Sequence, residues 1–443
     1  MGWGMRETLV KTEEFKDSPV GRIPKDWDVK PLSELADVDR GKFTHRPRND
    51  PRFYGGSYPF IQTGDIANSS GGILSTYSQT LNERGITVSR EFPVGTIAIT
   101  IAANIADTAI LGIPMFFPDS VVGAVVKKPN SIRYVELCIR RAKQRLDARA
   151  PQSAQKNINL EDLRPLLIPV PCPEEQHKIA EVIDTIEEAI AHTSSLIAKL
   201  KQMKAGLLHD LLTRGLDENG ELRDAIAHPE QFKPSPLGRI PKDWGVYPLK
   251  ECVYRDAQIT YGIVQAGSHV EGGVPYIRTG DMARDRLSIE GLLRTSPQIA
   301  ASYHRSKVRT GEIVCAIRAT VGKVLEVPPE LDGANLTQGT ARIAPREDIN
   351  NHFLLWALRS SYAQRQFDLA VKGTTFSEIT LENLRDIKVA LPSHREEQDK
   401  IAEILDSHDT RIRAEEVYRD KLKLQKQGLM HDLLTGKVRV KNA

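Results

Sequence analysis

SPVGRIPKDW, residues 18–27, returns as SPLGRIPKDW, residues 235–244, with nine of ten positions identical. YPFIQTGDI at 58–66 returns as VPYIRTGDM at 274–282, EEQHKIAEVID at 174–184 as EEQDKIAEILD at 396–406, and GLLHDLLT at 206–213 as GLMHDLLT at 428–435. Order and spacing are both kept, which chance does not produce, so the chain is an internal duplication whose halves join near 217–236. The ends of each half match far better than the middle: RGKFTHRPRNDPRFYGG at 40–56 bears no resemblance to DAQITYGIVQAGSHVEGG at 256–273, although the flanks align. One scaffold with two different loop sets suits a molecule that reads two different targets.

Each half opens with strand-like apolar runs bounded by Gly and Pro, such as YPFIQTGD and VGTIAITI. A helix is predicted over 134–148, with a mate over 352–367. Asn159-Leu-Glu-Asp162 fits a capping box, Thr380-Leu-Glu-Asn383 a weaker one, and the runs 166–170 and 387–391 read as strands stopped by proline. A change of period follows. Ile179, Ile183, Ile186, Ile190, Thr193, Ile197, Leu200, Met203 (one place off register), Leu207 and Leu211 recur at about 3.5 residues, a heptad seam. The mate runs Ile401, Leu405, His408, Ile412, Glu415, Tyr418, Leu422, Gln425, Leu429 and Leu433, and is more polar. Each helix of about 40 residues would span about 60 Å. The first leads from one globular part to the other and the second leads back, so the two are expected to pair antiparallel as a coiled coil, with one globular part at each end. The fold class is therefore α+β: two homologous mixed α/β domains (18–171 and 235–392), two long helices (172–215 and 393–436) and a linker (216–234).

Composition limits the function. With 61 Lys plus Arg against 58 Asp plus Glu, the net charge of +3 is too mild to argue for nucleic acid, so any DNA-binding charge must be local. Four cysteines, Cys138, Cys172, Cys252 and Cys315, form no C-x-x-C pair, which suggests neither zinc nor a disulfide framework and fits a reducing cytoplasm. Charges scattered through 1–17 leave no signal-peptide core, so no export is expected. The stretch 94–117 is long and apolar enough for a membrane span, with Asp107 its only charge. Its repeat partner, 310–327, carries Glu312, Arg318, Lys323 and Glu326, so both are expected to be buried strand, loop, strand and no membrane is involved. No P-loop exists, since Ile317 stands where the first glycine before Gly322-Lys323 should be, and no H-E-x-x-H occurs. His209 with Asp210 and His431 with Asp432 recur, but at the end of a helix, where histidine suits the negative dipole end better than catalysis.

The duplicated G-x-I-P-x-D-W start, P-[FY]-I-x-T-G-D, E-E-Q-x-K-I-A-E and G-L-[LM]-H-D-L-L-T resemble the specificity subunits of type I restriction-modification systems, over essentially the whole chain from Gly21 to Lys441. The resemblance implies two target-recognition domains, each reading one half of a bipartite, asymmetric double-stranded DNA sequence, with the helices as spacer. It implies partners as well: two methyltransferase subunits carrying S-adenosylmethionine, and restriction and motor subunits using ATP and Mg. The chain itself would hold no cofactor and no metal and catalyse nothing. Two other readings are a coiled-coil adaptor whose globular parts bind protein, and a DNA enzyme with fused recognition domains.

Reading DNA takes cations for phosphates and side-chain donors and acceptors for base edges. The first half offers Lys42, Thr44, His45, Arg46, Arg48 and Arg52 in a basic loop; a solvated loop would look the same. The matching loop of the second half is nearly uncharged and offers Gln258, Thr260, Tyr261, Gln265 and His269, so its target should differ. Arg318 follows a strand in which alternation would bury Ile313 and Ile317 and expose their neighbours; the family resemblance points it at DNA, against a structural role, and Ala102 replaces it in the first half. Ser153, Gln155 and Lys156, and Lys372, Thr374 and Thr375, precede a short helix whose N-terminus suits phosphate, although a capping loop explains them equally. Trp27 and Trp244 belong to the shared framework and read as core anchors.

Overall fold

The computed structural model describes residues 9–69, 71–102, 105–149, 157–371 and 377–440. It divides into two compact units, Met1–Ser194 with Tyr418–Ala443, and Ser195–Val417, so each long helix contributes to both.

In the first unit a five-stranded sheet runs in the order Ala36–Arg40, Val121–Val126, Ile97–Thr100, Thr108–Leu111, Ile73–Leu74. A four-stranded sheet of Gln79–Leu81, Tyr54–Phe60, Met115–Phe117 and Arg90–Phe92 adjoins it. The apolar stretch 94–117 thus makes three buried strands, and among the described residues no helix is long and apolar enough to cross a membrane. The helical stretch predicted over 134–148 is two helices, Ile132–Arg141 and Lys143–Arg149, the break falling at Ala142.

The second unit repeats the plan with a four-stranded sheet, Thr260–Tyr261, Thr340–Ile343, Ile313–Ala316, Val324–Glu326, and a three-stranded one, Arg294–Thr295, Val274–Ile277, Asn335–Leu336. Every residue of Ile313–Ala316 is buried, not alternate ones. Ile313 and Cys315 enter one core while Val314 and Ala316 enter another, because the strand is covered on both faces. The predicted helix 352–367 is also split, into Asn351–Arg359 and Ser361–Ala370, where the Ser360 hydroxyl accepts the Ala363 N–H and starts the second piece. Both predicted caps form: Asn159 and Asp162 make the full reciprocal box, and Thr380 caps Asn383.

The long helices are Pro173–Arg214 and Arg395–Leu434. Within the first unit Ile179 and Ile183 share a core with Leu433 and Leu434, and Lys426 pairs with Glu187 at 2.6 Å. Within the second, Ile197 and Leu200 pack on Ile412, and Lys204 pairs with Asp409 at 2.7 Å. Residue numbers rise on one helix as they fall on the other, so the pairing is antiparallel in both units. Met203, Tyr418 and Gln425 of the predicted seam are exposed, and buried Asp409 takes a place the heptad gave to His408.

The repeated motifs make the same joint twice. The indole N–H of Trp27 donates to Glu175 at 3.1 Å, and Arg439 binds both Glu175 and Asp26. Trp244 donates to Glu397, and Arg223 binds Glu397 and Asp243. The next residue, Gln176 or Gln398, accepts the buried N–H of Ser131 or the N–H of Asn350 and donates to a proline carbonyl, fastening the long helix to the capped start of a domain helix. Gly436 and Gly215 end the helices at φ +69 and +65; a Cβ on Gly436 would lie 2.4 Å from the Pro24 ring. Arg223 reaches its site along the linker, whereas Arg439 comes from the far end of the chain, on the strand Val438–Val440 that pairs with Leu9–Lys11.

Candidate nucleic-acid interface

Both units place their variable loop beside a tight glycine crossing. A Cβ on Gly41 would lie 2.2 Å from the Pro118 carbonyl oxygen, and one on Gly262 would lie 1.9 Å from that of Leu336, so only glycine lets these backbones touch. Each crossing brings the loop against a strand connection, Phe117–Val121 in the first unit and Leu336–Thr340 in the second.

In the first unit Asp119 sits on that connection and gathers the basic loop. Its carboxylate accepts from Arg46 at 2.9 Å and Arg48 at 2.5 Å, while its carbonyl accepts from Arg40. Asp50 takes Arg52 at 2.7 Å and His45 at 3.0 Å, and these partners, Arg52 foremost, hold its carboxyl far below the usual carboxylate range. Hence Arg46, Arg48, Arg52 and His45 are ordered by acids in their own neighbourhood. Among the described residues Lys42 is the one cation of the predicted set without an ion pair, and Thr44 is exposed beside it.

In the second unit the corresponding connection carries Gln338, half-buried, whose backbone N–H donates to Ile263. Around it stand Tyr261, exposed, and Thr279, whose hydroxyl donates to the Gly339 carbonyl. Ile317, which precedes Arg318, donates its N–H to the same carbonyl. Arg318 is half-exposed and its Nε lies 2.9 Å from Glu378, itself half-exposed. The chain then turns at Ala319, held at φ +60 by a bond from its N–H to the Ser377 carbonyl. In the first unit the left-handed residue Ala106, at φ 58, stands three places further along its hairpin, opposite Gly322 at φ +81; each of that pair donates its N–H back across the hairpin, to the carbonyls of Thr100 and Ala316. An alanine in the left-handed region costs about 1–2 kcal/mol, which the surrounding hydrogen bonds must offset at each of the two positions. Thr260 pairs with Arg342 along a sheet edge, while Gln258, Gln265 and His269 are exposed on the loop.

The structure therefore brings Tyr261 and Arg318 to opposite sides of one connection. Ser153, Gln155, Lys156, Lys372, Thr374 and Thr375 lie outside the described residues. Sequence reasoning missed Asp119, Gln338, Glu378 and Arg278, the last bound to Asp281 through two nitrogens. For Arg278 the signal was present, since it stands opposite Gln62 inside the matched segments 58–66 and 274–282. Asp119 stands opposite Gln338 only through the strand registers of 121–124 and 340–343, where the two sequences share no residue at matched positions. His209 and His431 are exposed at the ends of their helices, and the carbonyl of each accepts a threonine hydroxyl one turn on.

The type I restriction modification DNA specificity domain matches twice, over residues 24–202 and 241–424. The chain belongs to that family. It is similar to the type I restriction enzyme MjaVIII specificity subunit of Methanocaldococcus jannaschii, 26% identical with 98% of each chain covered. It is also 26% identical to the EcoBI specificity subunit of Escherichia coli over 58% of this chain and 55% of that one. The type I restriction-modification S subunit from M. genitalium shares the fold, with a TM-score of 0.56 at 16% identity, over 94% of this chain and 96% of that one.

Proposed function

We propose that each unit reads one half of a bipartite, asymmetric DNA target through the crossing just described, and that the long helices set the spacing and dock two methyltransferase subunits. The observation that carries this reading is the pairing of one framework, matched twice by the family, with two chemically different edges: arginines around Asp119 in one, Gln338, Tyr261 and Arg318 in the other. S-adenosylmethionine, ATP and Mg belong on the partner subunits, the methyltransferases and the restriction motors, and this chain catalyses no step. Its work is positional. Guanidinium groups suit phosphates or guanine edges, and a glutamine suits adenine.

Methylation profiling of Arg318→Ala in the assembled complex tests the second edge. A lost base contact costs about 1–3 kcal/mol and relaxes one position of one half-site; a lost phosphate contact weakens all sequences alike and flattens the salt slope by about one. If target and affinity both stay unchanged while stability falls, Arg318 only anchors Glu378 and the reading edge lies elsewhere.

A further inference from the structure

Beneath the hairpin that carries Arg318, the second unit holds a cleft of about 770 Å³. One wall is the hairpin tip Thr320–Lys323, another the loop bearing Arg284 and Arg286, and the floor is formed by Trp356, Arg359 and the two long helices with Lys201 and Lys204. Seven cations line it against three carboxylates. Lys204 and Lys201 answer Asp409 and Glu416, at 2.7 and 2.6 Å. Lys323 ties the hairpin to the Ala283 carbonyl at 2.9 Å and lies 3.7 Å from a fully exposed Asp285. Arg359 lies over the Trp356 ring, 4.9 Å from its centre, and gives one hydrogen bond to the Val324 carbonyl. Among the described residues Arg359, Arg284 and Arg286 make no ion pair, and the last two are exposed.

The first unit has the opposite arrangement at the matching place. There Arg133 and Arg140 are both bound to Glu136 and Glu187, Arg133 also to Asp184, and Lys426 to Glu187, so three cations meet three carboxylates. A cationic cleft is therefore not a property of the scaffold. The second unit has it because Leu355 and Trp356 stand where the repeat has Glu136 and Leu137, and because Arg284 replaces Asn68.

We infer that this cleft is a sequence-independent seat for the DNA backbone, holding phosphates as the duplex leaves the second reading edge. The inference rests on the reading proposed above. Its direction comes from continuity: Arg318 and the cleft wall Thr320–Lys323 belong to one hairpin, so a duplex lying against the first runs over the second. Its chemistry comes from exposed, unpaired guanidinium groups, which take phosphate oxygens without rearranging the core.

The test uses the full chain assembled with its methyltransferase subunits and measures affinity against salt for a duplex with the methylated sequence and one with that sequence scrambled. The variant Arg284→Gln/Arg286→Gln should weaken both duplexes by about tenfold at 0.1 M salt and flatten the salt slope by about two, with the methylated sequence unchanged. Arg305→Gln/Lys307→Gln, which removes two exposed cations outside the cleft, should leave the slope as it was. Unchanged affinity for both duplexes overturns the inference, as does equal loss in the control pair, which would make net charge the cause. Failure of the variant to assemble with the methyltransferase subunits overturns it in favour of an acidic protein segment in the cleft. Each of these leaves wild-type methylation of a bipartite sequence intact; were that absent, the parent reading would fail instead.

Discussion

The two units close their framework with the same four groups but from different pieces of chain. In the second, Trp244, Glu397, Asp243 and Arg223 meet because the linker carries Arg223 past the end of the first helix. In the first, Trp27, Glu175 and Asp26 wait for Arg439, near the opposite end of the chain. The joint is thus defined by geometry and not by connectivity: each arginine follows the end of one long helix and closes the joint at the start of the other. At the glycine crossings the relation inverts: the same backbone contact is flanked by unlike residues.

The sharpest way to break the comparison is to remove the arginines. Arg439→Ala leaves Glu175, almost fully buried, without its cation, and Arg223→Ala does the same to Glu397. Loss of one partner of a buried pair costs about 3–5 kcal/mol, and the partial exposure of Arg439 puts its expected cost near the lower end, about 3 kcal/mol. Hydrogen exchange should show each loss confined to its own unit. Equal loosening of both units by either substitution would mean the joints are not independent.

A smaller effect is expected from Gln176→Ala and Gln398→Ala. Each leaves a backbone N–H, of Ser131 or Asn350, without its acceptor, at about 1–3 kcal/mol in denaturant unfolding. The first should be the more damaging, because Ser131 is buried and Asn350 is only partly so.

The smallest effect separates the units by pH. His352 lies 2.6 Å from Asp406 and 3.3 Å from Glu326, and hydrogen bonds to these two carboxylates raise its pKa from 6.5 to about 10. A group raised on folding stabilises fully below its unfolded pKa and loses that stabilisation as pH passes its folded one. The second unit should therefore weaken between pH 6.5 and 10 by an amount that His352→Gln abolishes. The first unit, with Arg133 at the matching place, should show no such component. Thermal melts of wild type and variant across that range read the difference, and parallel curves would remove the histidine from the account.

Much of this was legible in the sequence. The duplication, both caps, the heptad helices and the two variable loops follow from residue pattern, because local periodicity and backbone chemistry decide them. The strand Ile313–Ala316 misled, since alternation assumes one wet face and this strand has none. The basic loop was visible as charge but not as an arrangement: Asp119 lies some 70 positions from Arg46 and Arg48, and only the Gly41 crossing brings them together. Arg223 and Arg439 escaped self-comparison because they follow the repeated G-L-[LM]-H-D-L-L-T at different distances, so the segments that carry them do not align.

The central claim is that one framework carries two independent readers. Replacing residues 21–169 with the matching segment of another family member, and sequencing host DNA for methylated bases, tests it most directly. The account predicts that one half of the bipartite target changes while the other half and the gap between them are retained. A change in both halves, or in neither, would contradict it.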